Sequence, residues 1–331
     1  MTKKAAFLVF FVSVAALVCA NKTNGADLNL VGWWKFDGDV LDGSGNGRNG
    51  SLQGDAHFEP GLFDQALALD GTGDYATING YKGILGGNPF SISAWVKSTS
   101  SGDVTMVNWG TQTGGQRVDF RLYQGKLRVE HGNGNLQGNT TVADGEWHHV
   151  ALTVTANAPI SYPQVIFYLD GKDDSQTTTD PDTFNIVANV DVTIGRRGTN
   201  NDRAFPGLID DVRIYDRVLT AAEIKDLARR PRSYGPDPAD GTFLGTPFAV
   251  LSWKPGGYAV QHDMYFGTNP MPGPAEYVGR QTTAFYYAPG LQIAATYYWR
   301  IDDVEGDGAT IHQGDVWSFT VLSKTASRPD P

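Results

Sequence analysis

From Gly32 to about Tyr215, apolar and polar positions alternate with a period of two, the spacing of strands with one face buried. In "FSISAWVK", Phe90, Ile92, Ala94 and Val96 share one face, and Ser91, Ser93, Trp95 and Lys97 the other. "WHHVALTVT" groups Val150, Leu152 and Val154, and "QVIFYLDGK" groups Val165, Phe167 and Leu169 before a turn at Asp170-Gly171. "RVDFRLYQGKLRVEH" reads as a hairpin turning at Gln124-Gly125. Regularly spaced short strands of this kind predict a β-sandwich rather than a parallel α/β sheet.

The pattern changes once, in "GLIDDVRIYDRVLTAAEIKDL" (residues 207–227), where a strand runs into a helix. Thr220 is a good N-cap, Glu223 closes a capping box, Ile224 and Leu227 form the apolar stripe, and Arg229 and Arg230 suit the C-terminal end before Pro231 stops it. Strict alternation places Asp210 on the face of Val212 and Ile214, with Asp211 facing out beside Arg213. A buried carboxylate is costly unless paired, hydrogen-bonded or bound to a metal. "PRSYGPDPADG" then reads as a connector. Beyond it "FAVLSWKPGG", "AVQHDMYFGT", "TAFYYAPG", "TYYWRIDDV" and "GDVWSFTVL" predict a second, smaller sandwich. The expected division is a leader over 1–20, a first domain over 27–231, a second over 236–322 and a disordered tail over 323–331.

Composition agrees with strands and turns, since the 331 residues include 40 Gly and 17 Pro. A net charge of -10 without a long basic run excludes nucleic acid as a partner. Lys3 and Lys4, the apolar run Ala5 to Val18 and the site Val18-Cys19-Ala20 form an export signal. That run is too short for a membrane span. Cleavage after Ala20 removes Cys19, the one cysteine, and leaves a mature chain without disulfides or a transmembrane segment, secreted or held at the cell surface or in the periplasm. A lipidated Cys19 is the competing reading.

The signposts "WWKFDG", "DGSGNGRNG", "LDGTGDYATI", "FSISAWVK", "GEWHHVALT", "FYLDGK" and "FPGLIDDVRIYDRVLTAAEI" run in order from roughly Gly32 to Arg230. Through them the first domain resembles the laminin-G-like branch of the concanavalin A-like jelly rolls. "LSWKPGGYAVQHDMYFGT", "YYWRID" and "GDVWSF" give the second a resemblance to fibronectin type III-like modules of exported bacterial proteins. The resemblance implies an all-β fold: a jelly roll of two antiparallel sheets, one concave, followed by a smaller immunoglobulin-like sandwich. It also implies a structural calcium in many members, and glycan or protein binding, although fold alone fixes none of these.

Several chemistries lack support. "GNGRNG" spells a dinucleotide loop, but no helix follows to receive a phosphate. His148 and His149 are adjacent on a strand and cannot share a zinc; His149 reads as a hydrogen-bonded structural histidine. None of the six glutamates falls in the Glu-x-Asp-x-x-Glu pattern of jelly-roll glucanases, so no catalytic residue is expected. Asp42, Ser44 and Asn46 do alternate like calcium-loop ligands, with Gln53 where a bidentate Glu would stand. If first and last strands meet, as a jelly roll implies, Asp37, Asp42, Asn46 and Asp210 form one structural Ca2+ site. The alternative is Asp210 accepting loop amides with no ion. For ligand recognition, Trp109, Arg121, Tyr123 and Arg128 are the candidates, Arg121 and Tyr123 sharing the face opposite Phe120 and Leu122. Ordinary solvated sheet residues are the bland alternative. Trp33, Trp34, Trp95 and Trp147 read as packing. The expectation is an exported, non-catalytic protein that binds an extracellular glycan or surface protein. A diverged glycan hydrolase, marked by an acidic pair across the concave sheet, and a purely structural envelope protein are the rivals.

Overall fold

The computed structural model of the protein describes residues 27–131, 134–157, 159–177 and 179–323. The expected export signal, Cys19 included, and the tail beyond Ser323 lie outside the described residues. Two antiparallel sheets form the first sandwich. The eight-stranded sheet runs, in spatial order, Lys172–Asp173, Val165–Leu169, His148–Val154, Phe90–Lys97, Pro206–Tyr215, Gln65–Asp70 and His57–Pro60, with Leu30–Trp34 also paired to Pro206–Tyr215. The seven-stranded sheet runs Asn135–Thr141, Lys126–Glu130, Arg117–Tyr123, Asp103–Gly110, Val190–Ile194, Tyr75–Ile78 and Gly50–Gln53.

Between the sheets lies one core that includes Trp34, Phe36, Phe90, Ile92, Trp109, Phe120, Phe167, Ile209, Val212 and Ile214. Each such large side chain contributes about 1.5–3 kcal/mol on burial. The hairpin at Gln124-Gly125 forms as expected, with φ of 53° and 71° at its two turn residues, the positive angles that a two-residue hairpin turn demands.

The outer face of the eight-stranded sheet is covered too. Ser91, Ser93 and Trp95, the polar half of the alternation in "FSISAWVK", are buried. A satellite cluster of Ala151, Tyr168, Tyr215, Leu219 and Ile224 seats the helix Ala221–Leu227 there. Ser91 Oγ donates to the Arg217 carbonyl (2.8 Å) and accepts the Leu219 N–H (2.9 Å), so the buried hydroxyl is satisfied. The helix carries the expected capping box between Thr220 and Glu223. Gly171 at the Asp170 turn has a φ of +76°, and a Cβ there would lie 3.1 Å from the Lys225 backbone. Only glycine suits this turn against the helix.

The second sandwich-like body has a three-stranded sheet (Tyr234–Asp237, Ala249–Lys254, Phe285–Ala288) and a six-stranded one built around Thr296–Val304. All five segments named in the sequence are strands, and their inward residues, among them Trp253, Trp299, Ile301 and Phe319, form a separate core. The connector is ordered rather than loose. Ser233 Oγ (2.8 Å), His262 Nδ1 (2.7 Å) and the Gly256 N–H (3.0 Å) converge on buried Asp303. Arg230 donates to the Trp147 carbonyl and Arg232 to the Leu62 carbonyl, tying the connector to the first sandwich.

His148 closes the Asp170 turn from the other side, its Nδ1 2.8 Å from Asp170 and its Nε2 3.2 Å from Asp144. The bond to Asp170, then the Asp144 contact, hold its pKa above 6.5 against the opposing effect of burial. A raised histidine contributes stability that is complete below the unfolded value and lost as pH rises through the folded one. The urea midpoint should therefore fall as pH climbs above 6.5, and His148→Gln should flatten that fall.

Candidate functional site

Strand register assembles a layered array on the outer face of the seven-stranded sheet. Thr105, Arg121, Arg128 and Gln137 stand opposite one another on four neighbouring strands. One row away come Asn108, Asp119, Glu130 and Asn135, and on the other side Asp103, Tyr123, Lys126 and Thr141. Arg117, Asp119, Arg121 and Tyr123 lie on one face because they are two residues apart on one strand. Their intervening neighbours Val118, Phe120 and Leu122 fill the core.

Ion pairs knit the array. Arg121 contacts Asp103 (3.2 Å), Asp119 (3.4 Å) and Glu130 (2.5 Å), and Arg117 also reaches Glu130. Arg203 descends from the loop between Val190–Ile194 and Pro206–Tyr215 onto Asp103 (2.9 Å) and Asp119 (2.6 Å), while Arg197 grips Asp202 within that loop. Asp119 is 0% exposed. Burial pushes its carboxyl up to about 6, although Arg121 and the Thr105 hydroxyl pull the other way. Burial also opposes ionisation of Glu130, but Arg121 and Arg117 outweigh it and hold Glu130 below its ordinary value.

The four expected ligand residues separate. Trp109 belongs to the core: its ring packs on Gly83 and edge-on against Phe90 at 5.5 Å, and its Nε1 donates to the Ile84 carbonyl at 3.0 Å. Two consecutive residues before it, Met106 and Val107, also face the core at a register shift, so simple alternation does not locate Trp109. Arg121 lies where expected but is 2% exposed and already paired with three carboxylates. Tyr123 and Arg128 remain half-buried at the margin, the guanidinium 4.4 Å from the ring centroid. Asp119 and Glu130 were detectable from alternation and hairpin register; Arg203, 84 residues from Asp119, was not.

The expected metal ligands also separate. Asp42 accepts the N–H groups of Trp33 (3.0 Å), Ser44 (2.9 Å) and Arg48 (3.0 Å), and Asn46 donates to the Leu30 carbonyl and Ser44 Oγ. Both order their own loop and tie it to the strand Leu30–Trp34. Asp37 accepts the Gln65 N–H at 3.3 Å. Asp210 is 0% exposed and faces away from Val212, contrary to strict alternation. A bulge at Asp211, whose φ is +50°, inserts one residue, so Ile209 and Val212 both enter the core and Asp210 turns outward opposite Trp95. Its Oδ2 accepts the Leu62 and Phe63 N–H groups, each at 3.1 Å, while its Oδ1 has no partner. Burial pushes Asp210 up to about 8, with Asp211 and Asp37 adding to the rise. Asp211 accepts Trp33 Nε1 and pairs with Arg213.

His149 lies on the far side of Trp95 in the same row, rings 5.4 Å apart. It is buried as expected, but its Nδ1 finds no hydrogen-bond partner. Burial first, then Arg213, lowers its pKa to about 3. Among the described residues, the carboxylates grouped closely enough to hold a metal are Asp55, Asp70 and Asp74, with oxygens within 4.8 Å of one another. Sequence reading did not single them out. Both Asp74 oxygens already accept backbone N–H groups, from Asp55 and Asp70.

With fold and site in view, the class is clear. Residues 70–225 match the model of the concanavalin A-like lectin/glucanases superfamily, and the first sandwich is a laminin-G-like jelly-roll domain of that kind. A rat relative, the sushi, von Willebrand factor type A, EGF and pentraxin domain-containing protein 1, is 25% identical over 183 residues. That stretch covers 51% of this chain and 5% of the relative's length. Domain 4 of the Geobacillus stearothermophilus extracellular arabinanase AbnA, solved with arabinotriose, is 26% identical. The match covers 61% of this chain and 98% of that one, with a TM-score of 0.49. The binding domain of Paraclostridial Mosquitocidal Protein 1 is similar in fold (14% identity, 90% and 69% of the two chains, TM-score 0.50). No described helix is long and apolar enough to cross a membrane.

Removing one partner from a buried ion network leaves the other charge uncompensated, at about 3–5 kcal/mol. Asp119→Ala should therefore lower unfolding free energy by about that amount in urea titration, against about 0.5 kcal/mol or less for exposed Glu146→Ala.

Proposed function

We propose that this chain is an exported, non-catalytic recognition protein whose laminin-G-like domain binds extracellular carbohydrate at the margin of the seven-stranded sheet. The fibronectin-like second body acts as a spacer. The observation that carries this reading is the half-buried Tyr123 ring beside Lys126, Arg128 and Gln137. An aromatic face flanked by a few fixed polar groups is what sugar recognition requires. The Lys3-Lys4 start and the apolar run after it support export.

The hydrolase rival calls for an acidic pair, and Asp119 and Glu130 do stand directly opposite on adjacent strands. Glycoside hydrolysis needs both carboxyls to reach the scissile bond. Asp119 is sealed beneath Arg203, Arg121 and Thr105, and Glu130 is occupied by Arg117 and Arg121. Neither has the freedom of an acid/base catalyst. Incubation with arabinan, galactan and polygalacturonate should release no reducing ends. Release that Asp119→Asn or Glu130→Gln abolishes would restore the enzyme reading.

A structural calcium is the second reading, and the orphaned, buried Asp210 Oδ1 supports it. Asp210 and Asp37 would be its side-chain ligands, completed by carbonyls and water; Asp42 and Asn46 drop out of the set. An ion at about a hundred times its Kd adds about 2.7 kcal/mol. Chelation should then lower Tm by about 5–10 °C, with calcium but not sodium restoring it and Asp210→Ala removing the response. An unchanged melting curve after chelation would leave Asp210 as a cap on the Leu62–Phe63 amides.

A further inference from the structure

The arginines of the array are not equivalent. Arg117, Arg121, Arg197 and Arg203 each have a carboxylate partner. Arg128 has none at salt-bridge distance among the described residues, although it stands directly opposite Arg121 on the neighbouring strand. Like charges directly opposite across a sheet are destabilising. Burial, then Arg121, lowers the pKa of Arg128, with Glu130 and Asp103 opposing from beyond salt-bridge distance. Lys126, two residues before Arg128 on the same strand and so on the same face, likewise has no carboxylate among the described residues. Gln137 completes the row on the far side of Arg128. A chain of net charge -10 thus keeps two cations, neither with a carboxylate at salt-bridge distance among the described residues, beside one half-buried tyrosine.

From this geometry we infer that the site takes an anionic saccharide, its carboxylate or sulfate held by Arg128 and Lys126 while a sugar face lies against Tyr123. The inference rests on the carbohydrate reading above and adds the substrate class. A planar guanidinium offers two parallel N–H donors to a carboxylate or sulfate. The anion also supplies the close ion pair that Arg121 makes with Asp103, Asp119 and Glu130 and that Arg128 lacks. On this reading Arg128 serves binding rather than the fold of the free protein.

Calorimetric titration of the whole chain with tetragalacturonate, its carboxyl-reduced neutral counterpart, and a sulfated galactan tetrasaccharide tests this. At least one charged ligand should bind 10-fold or more tighter than the neutral one, weakening as NaCl is raised; which of the two binds identifies carboxylate or sulfate as the anion. Arg128→Gln should remove the preference without lowering Tm, and Arg128→Lys should retain part of it. If the neutral tetrasaccharide binds as tightly as the charged ones, or Arg128→Gln leaves the preference intact, the anionic class is wrong and the carbohydrate reading stands. If Arg128→Gln lowers Tm as much as Arg121→Gln does, Arg128 is a structural residue and the inference falls. Absence of binding to all three and to neutral arabino- and galacto-oligosaccharides overturns both readings.

Discussion

The first sandwich depends on the pairing of its last strand, Pro206–Tyr215, in the middle of the eight-stranded sheet. That strand contacts Phe90–Lys97, Gln65–Asp70 and Leu30–Trp34, so segments from the start, middle and end of the domain close on one element. Such long-range pairing is entropically expensive to assemble. Here Ile209, Val212 and Ile214 offset that cost by burial in the core. The bulge at Asp211 lets both Ile209 and Val212 point inward and sends Asp210 beneath Leu62 and Phe63. The same strand feeds the helix, which covers the outer face of its own sheet.

The two sheets use their outer faces differently. On the eight-stranded sheet the face is closed by helix, loop and connector, leaving a buried row of His149, Trp95 and Asp210 in which each side chain has a polar atom without a partner. On the seven-stranded sheet it is closed by charge. Arginines and carboxylates alternate in rows, and Arg203 covers the centre. A buried array of this kind is a weak source of net stability, yet each partner is costly to lose once the others are in place. It fixes the strand positions that hold Tyr123 and Arg128 at the open margin.

The superfamily whose model matches residues 70–225 has glucanases in its name, and the paired acids of this sheet bear on that. The paired acids Asp119 and Glu130 serve as countercharges for arginines. A hydrolase would need them reachable and free; here Asp119 is fully buried and Glu130, partly exposed, is held by two arginines. The sheet provides a stable platform, and the chemistry available at its margin is that of a charged, aromatic contact surface.

Much of this architecture was determined by local sequence. Period-two alternation set the strands, positive-φ turn residues at Gln124-Gly125 set the hairpin, and Thr220 with Glu223 set the helix start, because each depends on residues within a few positions of one another. Alternation also placed Arg121 on the outer face. The places where alternation failed are bulges: Met106-Val107, which take Trp109 into the core beyond a register shift, and Asp211, which turns Asp210 away from Val212. A bulge is decided by which register buries more apolar surface against partner strands, and those partners are distant in sequence. Only the tertiary structure brought Arg203 onto Asp119 and Leu62 onto Asp210. Likewise, four strands had to be in register before Arg128 could be seen as the array's arginine with no carboxylate at salt-bridge distance.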